Sequence, residues 1–202
     1  MVGPVPERLP SQRPDELSER QLEVYRAITQ GPRSTGPHLF DTTGPHGELL
    51  GPFAAMVAHP AVGDPLQRLG AALRYETSLP DIAREVVILT VAVHHRSEYE
   101  WYAHAAVARH IGLPAEVVDA LREGGEPRGL DEGGRCAWRL AVSLLRPEPV
   151  GDDLFAAVES ALGSTGVIEV TALVGYYSLL AQLIEVFRLG PPEGVPAQLG
   201  GP

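Results

Sequence analysis

The chain has 202 residues and a single cysteine, Cys136. One cysteine excludes an intramolecular disulfide and a thiolate metal cluster, and it suits a reducing, cytoplasmic setting. There is no basic run either. Sixteen Lys and Arg stand against 26 Asp and Glu, for a formal net charge of −10. Nucleic acid and anionic membrane surfaces are therefore excluded as partners on charge grounds. The N-terminal stretch MVGPVPERLPSQRPDEL lacks an apolar core segment and is not expected to act as a secretory signal. The longest apolar stretch, Val170 to Ile184, is broken by Thr171, Ser178 and Gln182 and bounded by Glu169 and Glu185. That reads as a buried helix rather than a membrane span. Strand-like alternation, internal repeats and low-complexity tracts are absent.

What is there is a 44% hydrophobic chain, enough for one packed domain. Its apolar residues recur at helical spacing. Ser18 caps a predicted helix to about Gln30, with Leu22, Tyr25 and Ile28 inward. A short helix follows over Gly51–Ala58. A longer one runs from about Val62 to Glu76, with Leu66, Leu69 and Leu73 as its inner stripe. Ser78-Leu79-Pro80-Asp81 is a helix start. The segment VVILTVAV, residues 86–93, is as β-branched as a buried strand. The start signal before it and the lack of Gly or Pro before Ser97 favour helix. Gly112-Leu113-Pro114 closes one helix and opens another. Asp131 and Asp152 begin two more, and Ser164 begins a long last helix to about Leu189. The expected class is all-α, with seven to nine helices over residues 18–190. Residues 1–17 are expected to form an extended or disordered arm, and residues 191–202 an extended tail.

The densest chemistry lies in DIAREVVILTVAVHHRSEYEWYAHAAVARHIGL, residues 81–113. On a helix, Ser97, Glu100 and His104 fall at i, i+3 and i+7 and share one face. A carboxylate and an imidazole one turn apart can exchange a proton or grip a cation. Glu85 adds a carboxylate inside an apolar run, which requires a partner: the site, or Arg84 or Arg109. Ser97 with Glu100 also fits a capping box. Tyr99 and Trp101 fit core packing, with Tyr99 also able to line a pocket. His94 and His95 suit a helix C-terminus, and Cys136 fits plain packing. Residues 31–47, GPRSTGPHLFDTTGPHG, form a long loop rich in breakers, and such loops are more often functional than decorative. It carries Arg33 and His46, and arginine holds a carboxylate in a fork.

The order of these features resembles the carboxymuconolactone decarboxylase family, which shares its fold with alkylhydroperoxidase D. The resemblance rests on Gly51-Pro52-Phe53, Arg84-Glu85 in an apolar helix, Tyr99-Glu100-Trp101 followed by His104, Gly112-Leu113, and VTALVGYYSLLAQLIEVF. It spans residues 18–190. The peroxidase branch carries Cys-x-x-Cys where this chain has Ser97 and Glu100, so thiol peroxidase chemistry is not expected. The resemblance implies a cofactor-free lyase acting by acid–base chemistry on a small carboxylated lactone or conjugated carbonyl compound. His104 would supply the proton, Glu100 would set its tautomer, and Glu85 would orient the pair. Arg33, His46, Ser97 and Tyr99 would bind substrate. It also implies a homo-oligomer, trimer or hexamer. Two alternatives remain open: a metal site made of Glu85, Glu100 and His104, and a non-catalytic oligomeric binding module.

Overall fold

The ambiguous segment folds as a helix. In the computed structural model, which describes residues 7–35 and 37–200, Asp81–His94 is one α-helix, α4 in chain order. Its Val86, Val87, Ile88, Leu89 and Val91 are fully buried. A helix that is apolar all round belongs in the centre of a domain, where neighbours cover every side. Around it lie α1 (Glu19–Thr29), α2 (Pro52–Ala58), α3 (Pro60–Tyr75), α5 (Glu98–His110), α6 (Ala115–Arg122), α7 (Glu132–Leu144) and α8 (Asp152–Phe187). The fold is all-α, with eight α-helices and no strand among the described residues. α4 packs on α5, α7 and α8, and α2 and α3 close the other side of α8.

Local rules explain most boundaries. Ser18 caps α1 by accepting from Gln21 N–H, and Gln21 answers in a capping box. Asp131 caps α7 through Gly134 N–H at 2.7 Å. α8 is broken where the sequence reads a boundary: Gly163 has φ 69° and ψ 169°, outside helical space. α8 is long and apolar enough to cross a membrane by composition. In the fold it is a core helix, with Val170, Leu173, Val174, Tyr177 and Leu180 turned into the main cluster.

Several expectations are corrected. Leu69 is exposed rather than inward, because the buried stripe of α3 is Gly63, Leu66, Gln67, Gly70 and Leu73. Ser78 does not cap α4. Its backbone N–H and hydroxyl, and Leu79 N–H, all donate to Glu169 of α8. Asp152 does not cap α8, whose N-cap is Gly151. Apart from these corrections, the described parts of the arm and tail run against the domain. Arg8 N–H donates to the Phe187 carbonyl, Leu17 is buried, and Pro14–Glu16 form a turn of 3-10 helix. At the other end, Gln198 and Leu199 N–H groups both donate to the Glu98 carboxylate. The parts of the arm and tail at 1–6 and 201–202 lie outside the described residues.

Candidate functional site

The hairpin of α4 and α5 builds the centre of the site. Helix α4 ends at His94, and Arg96 turns the chain with φ 52°. Ser97 N–H then donates back to Ala92 O at 2.8 Å, so the chain reverses tightly. Glu85 lies nine residues before His94, where α4 ends, and His104 seven residues after Ser97, the N-cap of α5. At about 1.5 Å per residue, both reach a similar level along the paired helices. His104 Nδ1 and Glu85 Oε2 meet there at 2.7 Å, with both side chains buried.

This pairing differs from the one the helical spacing predicts. Glu85, across the hairpin, holds the imidazole. Glu100, one turn away on the same helix, does not. Both Glu100 carboxyl oxygens are buried without a hydrogen-bond partner, as is Ser97 Oγ. Ser97 is the N-cap of α5 but its side chain makes no cap bond, so the predicted capping box is absent. The reason is packing: α5 buries its N-terminal turn, and Ser97 and Glu100 point into protein rather than along the helix edge.

Burial then sets the charges. Glu100 is pushed well above the usual carboxylate range by desolvation, which outweighs a small opposing effect of Ser97. Burial therefore favours its protonated form. His104 is held below its ordinary value, first by desolvation, with Glu85 pulling the other way and Arg74 and Arg84 adding to the depression. A neutral His104 beside the Glu85 carboxylate donates from Nδ1, which leaves Nε2 as the acceptor. Burial thus favours the protonated form of Glu100 and the neutral form of His104.

Other elements close the site. Tyr177 of α8 meets the His104 ring edge-on at 5.1 Å, and Phe40 approaches from the loop at 6.5 Å. Burial keeps the Tyr177 phenol neutral, and the Tyr176 hydroxyl is pushed up to about 12, also chiefly by burial. These groups, with Arg33, Arg74, Phe53, Tyr99 and Glu100, line a chamber of about 30 Å³. That space holds a water or two and no substrate. Beside it runs an open groove of about 750 Å³, bordered by Glu85. Arg33, Phe40 and Arg74 border both spaces and form the wall between them.

Of the seven residues singled out in the sequence, five gather here. Glu85 and His104 bond, and Glu100, Tyr99 and Arg33 line the chamber. Ser97 is buried nearby but is not on the chamber wall. His46 is misplaced: it is exposed, with its backbone N–H tied to Glu48 in the Gly44–Glu48 turn, away from either space. Arg33 is largely committed, donating to the Gln67 carbonyl at 2.9 Å and lying 5.7 Å over the Phe53 ring. Arg74, Phe40, Tyr176 and Tyr177 escaped sequence reasoning. The signal for Arg74 was a cation beside Leu73 of the inward stripe, and for the tyrosines an adjacent pair inside an apolar helix. Among the described residues no three His, Cys, Asp or Glu side chains are gathered to hold a metal ion, so the Glu85–Glu100–His104 metal site is not assembled.

Residues 60–143 match the sequence model of the carboxymuconolactone decarboxylase family, a span that holds Arg74, Glu85, Glu100 and His104.
Over that region, less than half of its length, the chain is similar to this family.
No curated protein matches the sequence significantly. Among solved structures, it is similar to an uncharacterized peroxidase-related protein with the alkylhydroperoxidase AhpD core from Ralstonia eutropha. The TM-score is 0.74 at 14% identity, over 95% of each chain. An uncharacterized peroxidase-related protein from Silicibacter superposes with a TM-score of 0.71 at 14% identity, over 99% of this chain and 100% of the other. The debrominase Bmp8, as a cysteine-to-alanine variant in complex with 2,3,4-tribromopyrrole, gives 0.69 at 16% identity, over 92% and 91%. At these identities the likeness establishes the AhpD-like fold.

Proposed function

We propose that this chain is a cofactor-free lyase-type enzyme that moves a proton with a buried acid–base pair. Its substrate is a small carboxylated lactone or conjugated carbonyl compound. The single observation that carries the reading is the split between two neighbouring groups in one chamber. Glu100 is a buried, unpartnered carboxyl whose burial favours the acid form, and His104 is a buried imidazole held at Nδ1 by Glu85, whose burial favours the neutral base. Pairs whose environments push their proton affinities apart are how one site supplies both acid and base.

In a decarboxylation the electrons of the breaking carbon–carboxylate bond flow into the conjugated carbonyl, and carbon dioxide leaves. The neutral Tyr177 hydroxyl lines the chamber as a donor for the resulting enolate oxygen. Glu100 then delivers its proton to carbon, and a proton from solvent restores it. In a proton shift, His104 Nε2 removes the proton from one carbon and Glu100 protonates another; His104 then gives up its proton and Glu100 takes one back, directly or through water, which resets the pair. Thiol peroxidase chemistry has no place here, since Ser97 and Glu100 occupy the Cys-x-x-Cys positions of the peroxidase branch and the one cysteine is buried on α7. We place the protein in the cytoplasm as a homo-oligomer.

The test is a screen of carboxylated lactones for carbon dioxide release and for solvent deuterium incorporation, run with three variants. His104→Gln and Glu100→Gln are each expected to lower turnover by about 10²–10⁴-fold while folding normally. Glu85→Gln is expected to lose less, since it disturbs the tautomer and leaves both reacting groups. Full activity in folded Glu100→Gln and His104→Gln proteins would end this reading.

A further inference from the structure

Three guanidinium groups border the groove, and two of them are occupied. Arg84 pairs with Asp81 and donates to the Leu79 carbonyl. Arg33 spends its fork on the Gln67 carbonyl and side chain. Arg74 stands apart. Among the described residues its guanidinium makes no hydrogen bond and no ion pair; it lies 5.5 Å over the Tyr75 ring and feels Tyr177 and Glu85 through space. The nearest carboxylate, Glu85, is already bonded to His104. Arg74 is also half-buried and borders both the groove and the chamber. A guanidinium withdrawn from bulk water and left with open donors is costly unless something arrives to complete it.

We propose that Arg74, rather than Arg33, is the anion-holding residue of this site, and that it takes a small planar carboxylate at the mouth between groove and chamber. This rests on the acid–base reading above and specifies its substrate contact. The planar fork of arginine matches two carboxylate oxygens. A molecule held there extends its other end toward Glu100 and His104. Phe40, the third member of the wall, is the apolar side chain it must displace, because the chamber as it stands is too small for a five-membered ring. The flanking surfaces, Phe53 and Leu180, are apolar and suit the face of such a ring. Arg33 then serves as a strut: it ties the loop to α3 beside Gly70, where no side chain would fit between Arg33 and Tyr176.

Calorimetric titration with 2-furoate tests this without any turnover. Wild-type protein is expected to bind furoate and not its neutral isostere, 2-furamide. Arg74→Gln is expected to weaken furoate binding by roughly tenfold to a hundredfold, the range for a lost charge-assisted bond. Arg74→Lys, which keeps the charge and loses the fork, falls between. Arg68→Gln removes the same charge from the exposed side of the same helix and leaves the affinity unchanged. Thermal melts of each variant report whether it is folded. The proposal is overturned if wild-type protein binds no furoate, or if furamide binds as well as furoate. It is also overturned if folded Arg74→Gln and Arg74→Lys bind like wild type, if Arg33→Gln alone abolishes binding, or if inorganic phosphate outcompetes furoate. The two readings fail separately. Furoate binding that depends on Arg74 in a protein whose His104 and Glu100 variants stay fully active would sink the chemistry and leave the anion site. The reverse pattern would sink Arg74.

Discussion

Glu100 decides the behaviour of the site at the scale of single residues. Burial with neither oxygen bonded makes Glu100 hold its proton more tightly in the folded chain than in the unfolded chain, where it ionises near its ordinary value of 4.5. The sign of the stability effect follows. Below that ordinary value both states hold the proton and Glu100 costs nothing. As pH rises above it, the unfolded state releases the proton first, so stability falls until the raised folded value is reached. Glu100→Gln removes this dependence. The variant is therefore expected to melt higher than wild type at neutral pH, with the gap closing as pH falls into the ordinary carboxylate range. Melting curves of both proteins across that range check it, and a gap that is constant with pH would show that Glu100 is ionised in the fold. Stability and catalysis oppose each other at this residue, which is what a functional acid in an apolar setting predicts.

Among the elements, the loop between α1 and α2 carries the most consequence. It contributes Arg33 and Phe40 to the wall, and it is held to α5 by two long bonds, Tyr99 hydroxyl to the Asp41 carbonyl and Asp41 N–H to the Tyr102 hydroxyl, both 3.3 Å. Its exit is Gly51, with φ 55° and ψ −141°, a conformation side chains avoid. A Cβ at Gly51 would also collide with the Tyr99 ring. Gly51→Ala is expected to cost about 1–3 kcal/mol and to lower the melting temperature by several degrees, with substrate affinity falling as Tyr99 and the loop are displaced. A variant that melts and binds like wild type would show that this junction does not position the wall. The loop's length and breakers announced a role in the sequence. Which of its side chains turn inward did not show, because Arg33 and His46 look alike in a segment without period. Arg33 is drawn in by the Gln67 carbonyl, and His46 is left outside by the Gly44–Glu48 turn.

For the whole molecule, the unpartnered surface is the informative part. Ile168, Leu179 and Val186 stand exposed along the outer side of α8, and Val62 and Leu69 along α3, which packs beside it. Large apolar side chains aligned on neighbouring helices are expected to be covered by another copy of the chain. Light scattering is expected to find an oligomer, and the double variant Ile168→Glu, Leu179→Glu is expected to dissociate it while the subunit keeps its helical content. A wild-type monomer over a wide concentration range would contradict this.

The local pattern of the chain determined its helical class, most helix boundaries and the shared helix face of Glu100 and His104, because helical period, caps and breakers are short-range; whether Glu85 joined them or paired with Arg84 or Arg109 stayed open. The β-branched α4 was legible as helix from its start signal, and its burial then confirmed why so apolar a segment is stable there. The pairing within the site was not legible. Spacing on one helix puts Glu100 next to His104, yet Glu85 takes the imidazole, because the angle of the α4–α5 hairpin brings its carboxylate to Nδ1 at 2.7 Å. The proton positions followed from that choice and from burial, which no local pattern reports. Arg74, Phe40, Tyr176 and Tyr177 come from three elements far apart in the chain, and only the packing of α3, the loop and α8 around α5 makes them neighbours.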